Sequence, residues 1–552
     1  MPVSRCAMAL CLVASLIAAC DRAGGHFGGE VSHSWNPLEV KEVNDVPIAE
    51  LRAEVKRELA ARPSDATADQ WRHTRALYER YQFSPLWMDD DGVIKDRAGA
   101  LVDALVNATT DAIQINQYPL FELAQSLDSL RHTKKPTAAQ LARADILLTF
   151  SYAALGEDYL TGQIEPTSVA QSWHINPREE ETDSALARSL RDNNMAQAIA
   201  RMRPTDYDYE MLRRKLADFR KIVANGGWPV IPAGKALKRG QKDSPERIQA
   251  LRTRLQLEGI KASGDSDAVY GPALAAGIAQ FQQRHAIGVD SMLGKETLDA
   301  LNVPATFRLE QIAANLERYR WLPRELGSRY ILVNVPAFRL DGYENGRKTI
   351  EMKVIVGAEY EGRATPVFSD SMELVVFRPY WDVPDKIAEN EILPKGIPAS
   401  FVTTTQNGKL HLRQRPGPKN ALGLVKFLFP NDFNIYLHDT PQDNLFNRDV
   451  RAFSHGCIRI EKPAELAQWV LGWDASRVRD AMENGPDDRT VRIPKKIPVY
   501  IAYFTAYMRD GQLWFGNDLY HRDDQLAQAV AGAAMPSAQA VRAIDALRKL
   551  TD

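Results

Sequence analysis

The spacing of apolar residues changes along the chain and divides it into regions. From about 45 to 240, apolar residues recur every three or four positions, as at Ile48, Leu51 and Val55. That spacing puts them on one face of a helix. We therefore predict an α-helical scaffold domain over 45–240, with no chemistry of its own.

A compact unit follows at 244–304. Ser244 and Pro245 are typical of a helix start, because a serine side chain can accept from an exposed backbone N–H and proline suits the first turn. A second helix is predicted after Gly271-Pro272, and a third closes the unit. An amphipathic stretch at 305–329 then predicts a helical linker.

The apolar period next changes from helix to strand, and short β-rich runs fill a predicted catalytic domain at 330–506. The predicted strands include Asn434–Leu437, Val491–Ile493 and Pro498–Ile501. Prolines crowd an insertion at about 379–430, just before the candidate active-site strand. A long insertion beside a site is often a lid, but an inert loop is an equally open interpretation. The tail at 507–552 ends in an Ala-rich stretch predicted to be helical, and its packing is left open.

These regions together predict a multidomain α+β protein. Its parts are an α-helical scaffold, a three-helix module and a β-rich catalytic domain with a loop-rich capping insertion.

The first residues differ from all that follow. Arg5 precedes a run of small and apolar residues that is too short to span a membrane as a mature helix. A basic start, an apolar middle and small residues before a cysteine resemble a bacterial lipoprotein signal. We expect a signal peptide over 1–19, lipid on Cys20 and a glycine-rich tether over 20–44. Cleavage without lipid and an uncleaved anchor are the alternatives.

Asp21 resembles the signal that keeps some lipoproteins at the inner membrane. The expected location is therefore the periplasm of a Gram-negative bacterium, with the protein anchored to inner-membrane lipid through Cys20.

Charge and cysteine content narrow the function. The 552 residues carry a net charge of −2, and without a basic excess nucleic-acid binding is not suggested. Cys6 and Cys11 would leave with the signal peptide and Cys20 would take lipid, which leaves Cys457 with no disulfide partner. An unpaired cysteine in an exported protein indicates a reactive thiol.

Cys457 lies in the stretch Ser454–Ile460, nineteen residues after His438. A thiol, a nearby imidazole and a glycine are the parts needed for cysteine acyl transfer. We expect His438 to be the base, with its tautomer set by a backbone carbonyl near Asp439, and we expect the imidazole to lower the thiol pKa. The amides of Gly456 and Cys457 are candidate oxyanion donors.

Other interpretations of these residues stay open. Arg459 lies two residues past the thiol and would bind a substrate carboxylate or pair with a local acid. His455 would assist substrate binding or pack beside the nucleophile. Zinc ligation by Cys457 with His438, His455 and His411 lacks a supporting motif, and an inert buried cysteine is the remaining alternative.

Two family resemblances are carried by quoted motifs. In the module at 244–304, the residues Tyr270-Gly271, Phe281-Gln282, His285, Gly294 and Thr297–Asn302 resemble the type 1 peptidoglycan-binding domain. A small helical spacer without a ligand is the alternative. Residues 330 to about 501 resemble the YkuD-type L,D-transpeptidases, most closely the large proteobacterial subclass with a scaffold and a capped catalytic domain. The matching catalytic segments are His438-Asp439, Ser454–Arg459, Val354–Gly357, Thr365–Ser369, Pro379–Pro384, Arg415–Gly417 and Asn420–Gly423.

The YkuD resemblance implies a specific reaction without metal or other cofactor. Cys457 would form a thioester with the diaminopimelate of a donor tetrapeptide stem and release D-Ala. A diaminopimelate amine on an acceptor stem would then give a 3→3 crosslink. Tyr436 and Trp381 are candidate substrate contacts that would equally serve as packing residues, with Ser454 and Asp439 as supporting residues. Carbapenems are expected to acylate Cys457.

Three other functions are compatible with these residues. Water in place of the acceptor amine would make the protein an L,D-carboxypeptidase. The amine of a lipoprotein lysine would make it a protein-attachment enzyme. An inactive peptidoglycan-binding scaffold protein is the third, and the presence of His438, Gly456 and Cys457 argues against it.

Overall fold

The computed structural model describes residues 35–551 except 64–66, 171, 176–181, 360–362 and 407–408. The predicted signal peptide, Cys20 and the first part of the predicted tether lie outside the described residues. The rest of that tether is packed, because Val40 and Val43 are buried in the scaffold core and the Arg97 guanidinium lies 4.2 Å from the Trp35 ring centre. The packed body therefore begins before residue 45.

The scaffold region is helical, as predicted. Its longest helix, Ala138–Thr161, is buried on nearly all sides and starts with a capping box between Thr137 and Gln140. The region also contains the short strands β1 Glu42–Val43, β2 Val46–Pro47, β3 Met88–Asp89, β4 Gly92–Val93 and β5 Trp173–His174. Its helices are α1 Ile48–Glu58, α2 Ala68–Arg80, α3 Lys95–Asn107, α4 Leu120–His132, α5 Ala138–Thr161, α6 Pro166–Val169, α7 Thr182–Leu190, α8 Met195–Ala200 and α9 Tyr207–Ala224.

The small module contains the three predicted helices, α10 Pro245–Leu257, α11 Pro272–Arg284 and α12 Lys295–Leu301. The Ser244 hydroxyl accepts from the Arg247 N–H, which confirms the predicted helix start. A longer helix, α13 Ala305–Arg320, follows at the predicted linker. It is buried between the module, α9 and the C-terminal segment, so it is part of the core rather than a spacer.

The catalytic region is built on a sheet that closes on itself. Its strands are β6 Arg329–Asn334, β7 Arg339–Glu344, β8 Arg347–Gly357, β9 Val367–Phe377, β13 Val425–Leu428, β14 Leu437–His438, β15 Ala452–Ser454, β16 Ile458–Ile460 and β17 Arg489–Ala502. They pair in the order β13-β14-β16-β8-β7-β6-β17-β9, and β13 also pairs with β9. The scaffold strand β5 adds to β9 in parallel. Helices α15 Pro463–Leu471 and α16 Ala475–Glu483 lie between β16 and β17.

Two strand predictions differ from the structure. The runs predicted around Val491–Ile493 and Pro498–Ile501 form one strand, β17, with a register shift between Arg492 and Ile497. The run predicted at Asn434–Leu437 forms a strand only from Leu437, because Asn434 has a left-handed backbone with φ of 56°.

The predicted loop-rich insertion has regular structure of its own. It contains β10 Trp381–Asp382, α14 Asp385–Ile387, a π-helix at Ala388–Ile392, β11 Phe401–Gln406 and β12 Lys409–Gln414. The three strands form a separate sheet around a small core of Val383, Ala388 and Leu412. Its predicted end at 430 is too late, because Val425–Leu428 pairs within the main sheet.

The C-terminal tail packs back on both large domains. The hairpin β18 Ala506–Arg509 and β19 Gln512–Phe515 touches the small module, where the Arg284 Nε donates to the Leu513 carbonyl over 2.9 Å. Helix α17 Asp523–Ala534 packs on α13, and α18 Ala538–Thr551 packs on α3 and α4. In the part of the chain that the structure describes, every helix is too short or too polar to cross a membrane.

Candidate active site

Two short parallel strands carry the predicted catalytic side chains. Strand β14 pairs with β16 so that His438 lies opposite Arg459, and Cys457 comes directly before β16. Side chains alternate between the faces of a strand. His438 and Arg459 therefore face the same side of the sheet, and Tyr436 and Cys457 come directly before their two strands.

The orientation of His438 is set by main chain. Its Nδ1 lies 2.6 Å from the carbonyl oxygen of Asp439. Because a carbonyl oxygen only accepts hydrogen bonds, Nδ1 carries the proton of the neutral ring and Nε2 holds the free lone pair. The predicted orientation by a backbone carbonyl is confirmed, and Nε2 is the atom able to act as a base.

The expected thiolate at neutral pH is wrong for this resting arrangement. Burial raises the pKa of Cys457 to about 11, against weaker lowering effects from hydrogen bonding to Tyr436 and the Arg459 charge. Burial, with the positive charges of Arg459 and Lys426 adding to it, lowers the pKa of His438 to about 3. Burial opposes the charged form of both groups. Thiol and imidazole are thus both neutral at pH 7.

The thiol makes different contacts from those predicted. Its Sγ lies 3.6 Å from the Asn434 carbonyl oxygen, and it also hydrogen bonds with the Tyr436 hydroxyl. A direct bond to His438 is not among the hydrogen bonds of the described residues. Tyr436 is near both groups, because its hydroxyl bonds the thiol and its ring centre lies 5.7 Å from that of His438.

The turn before Cys457 is held by Ser454. The Ser454 hydroxyl accepts from the Gly456 N–H over 3.1 Å and donates to the Cys457 carbonyl over 2.5 Å. The Gly456 amide is therefore already bonded and is not the free oxyanion donor that we predicted. The Cys457 N–H has no acceptor within the described residues, so it is the amide available to an oxyanion.

Gly456 is required by its backbone. Its φ is 118°, a conformation that L side chains rarely adopt, and an added Cβ would lie 3.1 Å from Ile435 Cδ1. This conformation turns the chain so that Cys457 enters β16.

Asp439 has a structural place beside the base. Its Oδ2 accepts from the Leu424 N–H and its Oδ1 from the Thr440 N–H, each over 2.7 Å. The carboxylate thus holds two backbone segments while its main-chain carbonyl orients His438.

Arg459 is partnered by a neutral group. Its Nη1 donates to Gln442 Oε1 over 2.6 Å, and within the described part of the chain it has no carboxylate partner. Of the two interpretations left open, pairing with a local acid is not seen. The guanidinium keeps donors for a substrate carboxylate.

His455 points to the insertion. Its Nε2 lies 2.6 Å from Glu391 Oε1, and the same carboxylate accepts from Arg363 over 2.8 Å. Glu391 therefore ties the insertion to the loop that carries Cys457. Sequence inspection missed Glu391 because no local pattern marks it.

The two remaining candidates, Trp381 and His411, belong to the insertion. Trp381 packs in the small core of the insertion, with its ring centre 6.4 Å from that of Phe401. His411 is also in the insertion, 3.4 Å from Asp382. Among the described residues, no three His, Cys, Asp or Glu side chains are grouped as a metal site.

Comparison with known families matches three parts of the chain. Residues 72–216 match a family described as "Scaffold domain", residues 244–301 one described as "Putative peptidoglycan binding domain", and residues 328–501 the YkuD family, described as "L,D-transpeptidase catalytic domain". The candidate active site falls inside the YkuD match. Strands β14 and β16 lie within this match, and the C-terminal tail from 507 lies beyond it.

One curated relative is a Haemophilus influenzae protein named "Putative L,D-transpeptidase". It is 32% identical over 245 residues, which are 39% of this chain and 49% of the relative. The chain thus spans about half the length of the curated relative it matches. The YkuD domain and this relative support an enzyme of the L,D-transpeptidase family.

Two solved structures share little sequence with the chain. An L,D-transpeptidase from Xylanimonas cellulosilytica is 16% identical, with 49% of this chain and 99% of that chain covered and a TM-score of 0.16. A fused Zn-dependent amidase/peptidase/peptidoglycan-binding domain-containing protein from Clostridium acetobutylicum is 12% identical, with 49% and 100% covered and a TM-score of 0.14. The assignment of the YkuD domain does not depend on either.

Proposed function

We propose that this protein is an L,D-transpeptidase that forms 3→3 peptidoglycan crosslinks through a thioester on Cys457. The observation that carries the proposal is the parallel pairing of β14 with β16, which brings His438 next to the segment of Cys457, with His438 Nδ1 held by the Asp439 carbonyl and Nε2 left to act as the base. Within the described residues the Cys457 N–H has no acceptor, so it can donate to an oxyanion. The small module, which matches a peptidoglycan-binding family, supports the same substrate class.

The first half of the reaction forms the thioester. Cys457 Sγ attacks the carbonyl carbon of the L-centre of diaminopimelate in the donor stem, while His438 Nε2 takes the thiol proton. Because the thiol is neutral at rest, proton removal accompanies attack. The Cys457 N–H donates to the oxyanion. The C–N bond to D-Ala then breaks, and His438 returns the proton to the leaving amine.

The second half transfers the acyl group. The side-chain amine of diaminopimelate on the acceptor stem attacks the thioester, and His438 removes a proton from that amine. The C–S bond breaks, and the proton returns to the sulfur. One amide bond is broken and one is formed, so no external energy source is required. Arg459 binds a carboxylate of the donor stem.

The alternative product is the hydrolysed tripeptide of an L,D-carboxypeptidase, which differs only in what reaches the thioester. The contact of Glu391 with His455 favours transfer, because it keeps the insertion over the loop that carries the thiol and limits access of water. A carbapenem, whose strained amide resembles the donor bond, would acylate the same thiol.

The test is to incubate the full chain in detergent with disaccharide-tetrapeptide and to identify the products by mass. A dimer that has lost one D-Ala, absent with Cys457→Ala, is the expected result. If disaccharide-tripeptide is the sole product, the function is hydrolysis rather than transfer. If the substrate is unchanged and Cys457 also forms no carbapenem adduct, both the transpeptidase and the carboxypeptidase functions are contradicted. The remaining interpretation is then a peptidoglycan-binding protein without activity.

Anchoring at the inner membrane belongs to the same proposal. It rests on the resemblance of the first residues to a lipoprotein signal and on Cys20 alone. Mass spectrometry of the purified N-terminal peptide is expected to show lipid on Cys20, and a peptide that begins elsewhere without lipid would contradict it.

A further inference from the structure

The main chain behind Cys457 is held by a buried hydrogen-bond network. The Thr365 hydroxyl accepts from the Gly357 N–H over 2.9 Å and donates to the Gly456 carbonyl over 2.8 Å. Thr365 is fully buried. The Gly357 N–H uses one lone pair of the Thr365 hydroxyl oxygen. The Thr365 hydroxyl proton is donated to the Gly456 carbonyl oxygen.

The network extends into the tail, beyond the YkuD domain. The Tyr520 hydroxyl donates to the Gly357 carbonyl over 2.7 Å and accepts from the Thr365 N–H over 3.2 Å. It thereby joins the end of β8 to the start of the segment that leads to β9. Gly357 has no room for a side chain, because an added Cβ would lie 1.8 Å from the Arg363 carbonyl oxygen.

Tyr520 is itself fixed by its neighbours in the tail. Its N–H donates to the Tyr503 hydroxyl over 2.9 Å, and its ring stacks on that of Tyr503 with centres 5.7 Å apart. The Arg522 guanidinium lies 4.8 Å from the centre of each ring. Arg318 of α13 in turn pairs with Asp523 over 2.6 Å, which holds the segment against the core.

The peptide unit between Gly456 and Cys457 connects this network to the active site. A peptide bond is planar and trans, so its C=O and N–H point in opposite directions. Fixing the Gly456 carbonyl on the Thr365 hydroxyl therefore fixes the direction of the Cys457 N–H. That N–H is the available oxyanion donor at the thiol, and its aim determines how well it stabilises the developing charge.

We infer that Tyr520 is a positioning residue for the Cys457 amide, acting through Gly357, Thr365 and Gly456. The inference rests on the proposed role of Cys457 as nucleophile. The segment needed for catalysis would then continue beyond the end of the YkuD match at 501 to at least 523. The C-terminal tail would help to position the active-site amide.

The test measures acylation of Cys457 by imipenem in the full chain, with adduct formation followed by mass spectrometry. Tyr520→Phe and Thr365→Val are expected to lower the acylation rate by about tenfold or more, since one misdirected oxyanion donor has effects of this order. Thr365→Ser keeps the hydroxyl and is expected to restore most of the rate. With tetrapeptide, kcat should fall while KM changes little.

Tyr152→Phe is the matched control. The Tyr152 hydroxyl donates to the Leu186 carbonyl over 2.8 Å inside the scaffold, so the change removes the same kind of bond away from the site. It is expected to lower Tm but to leave acylation per folded molecule unchanged.

The outcomes separate this inference from the proposed function. Wild-type acylation rates in folded Tyr520→Phe and Thr365→Val would overturn the inference and leave the transpeptidase proposal intact. If Tyr520→Phe does not fold, equal rates for Thr365→Val and Thr365→Ser would overturn it instead. A wild-type chain that forms no adduct at Cys457 would overturn both.

Discussion

The Nδ1 of His438 lies 2.6 Å from the carbonyl oxygen of Asp439, so a main-chain group rather than a carboxylate orients the base. A carboxylate in that place would stabilise an imidazolium, as in an acid–base–nucleophile triad. A carbonyl fixes the same tautomer with much less stabilisation of positive charge. Together with burial, this keeps the resting imidazole neutral.

The neutral pair predicts how Cys457 reacts with iodoacetamide as pH changes. Because its pKa is raised to about 11, the thiolate fraction should increase roughly tenfold per pH unit between pH 7 and 10. The alkylation rate, measured by mass of the Cys457 peptide, should follow. His438→Gln should show the same profile, since a neutral histidine does not set the thiol pKa. A rate plateau below pH 7 would indicate a thiolate–imidazolium pair and contradict this.

Asp439→Asn should separate stability from catalysis. Its two carboxylate oxygens each accept a backbone N–H, and an amide offers only one acceptor, so the free energy of unfolding should fall by about 1–3 kcal/mol. The carbonyl that orients His438 is unchanged. Carbapenem acylation per folded molecule should therefore stay within about threefold of wild type. A loss comparable to that of His438→Gln would show that the carboxylate acts directly on the base.

Arg459→Met should weaken use of the donor stem. A hydrogen bond to a charged group contributes about 1.5–3 kcal/mol, so kcat/KM for the tetrapeptide should fall about 10- to 100-fold. A tetrapeptide amidated at its terminal carboxylate tests whether that group is the partner. The wild-type enzyme should use the amidated tetrapeptide poorly. Arg459→Met should lower kcat/KM for this amidated substrate only slightly further.

Arg448→Met, at an exposed arginine outside the cluster, is the control for removal of positive charge and should leave kcat/KM unchanged. If Arg459→Met lowers activity equally on both tetrapeptides, another group of the stem is its partner.

Glu391→Gln should change the products. The carboxylate accepts from both His455 and Arg363, and its loss weakens the attachment of the insertion to the active-site loop. The ratio of hydrolysed tripeptide to crosslinked dimer should rise several-fold as water gains access, roughly 1 kcal/mol in relative barrier. Glu389→Gln, at an exposed residue two positions earlier in the same helical turn, is the matched control. An unchanged ratio in Glu391→Gln would contradict a role in excluding water.

Much of the architecture could be predicted because it depends on local spacing. The helix periods of the scaffold and the Ser244 cap follow from residues close in sequence. The insertion was harder, since its strands are held by pairing across a separate sheet rather than by a strong apolar alternation. The packing of the tail depends on contacts with segments hundreds of positions away.

The sequence by itself determined the parts of the site: an unpaired Cys457, His438 on a neighbouring strand and Gly456 directly before the thiol. Those are consequences of residue type and short-range geometry. Only the tertiary structure decided the charge states, because burial and the Arg459 charge set the two pKa values. It also decided that Ser454 takes the Gly456 N–H and that Tyr520 reaches the loop of the nucleophile. Such pairings depend on how distant segments pack, which no local pattern records.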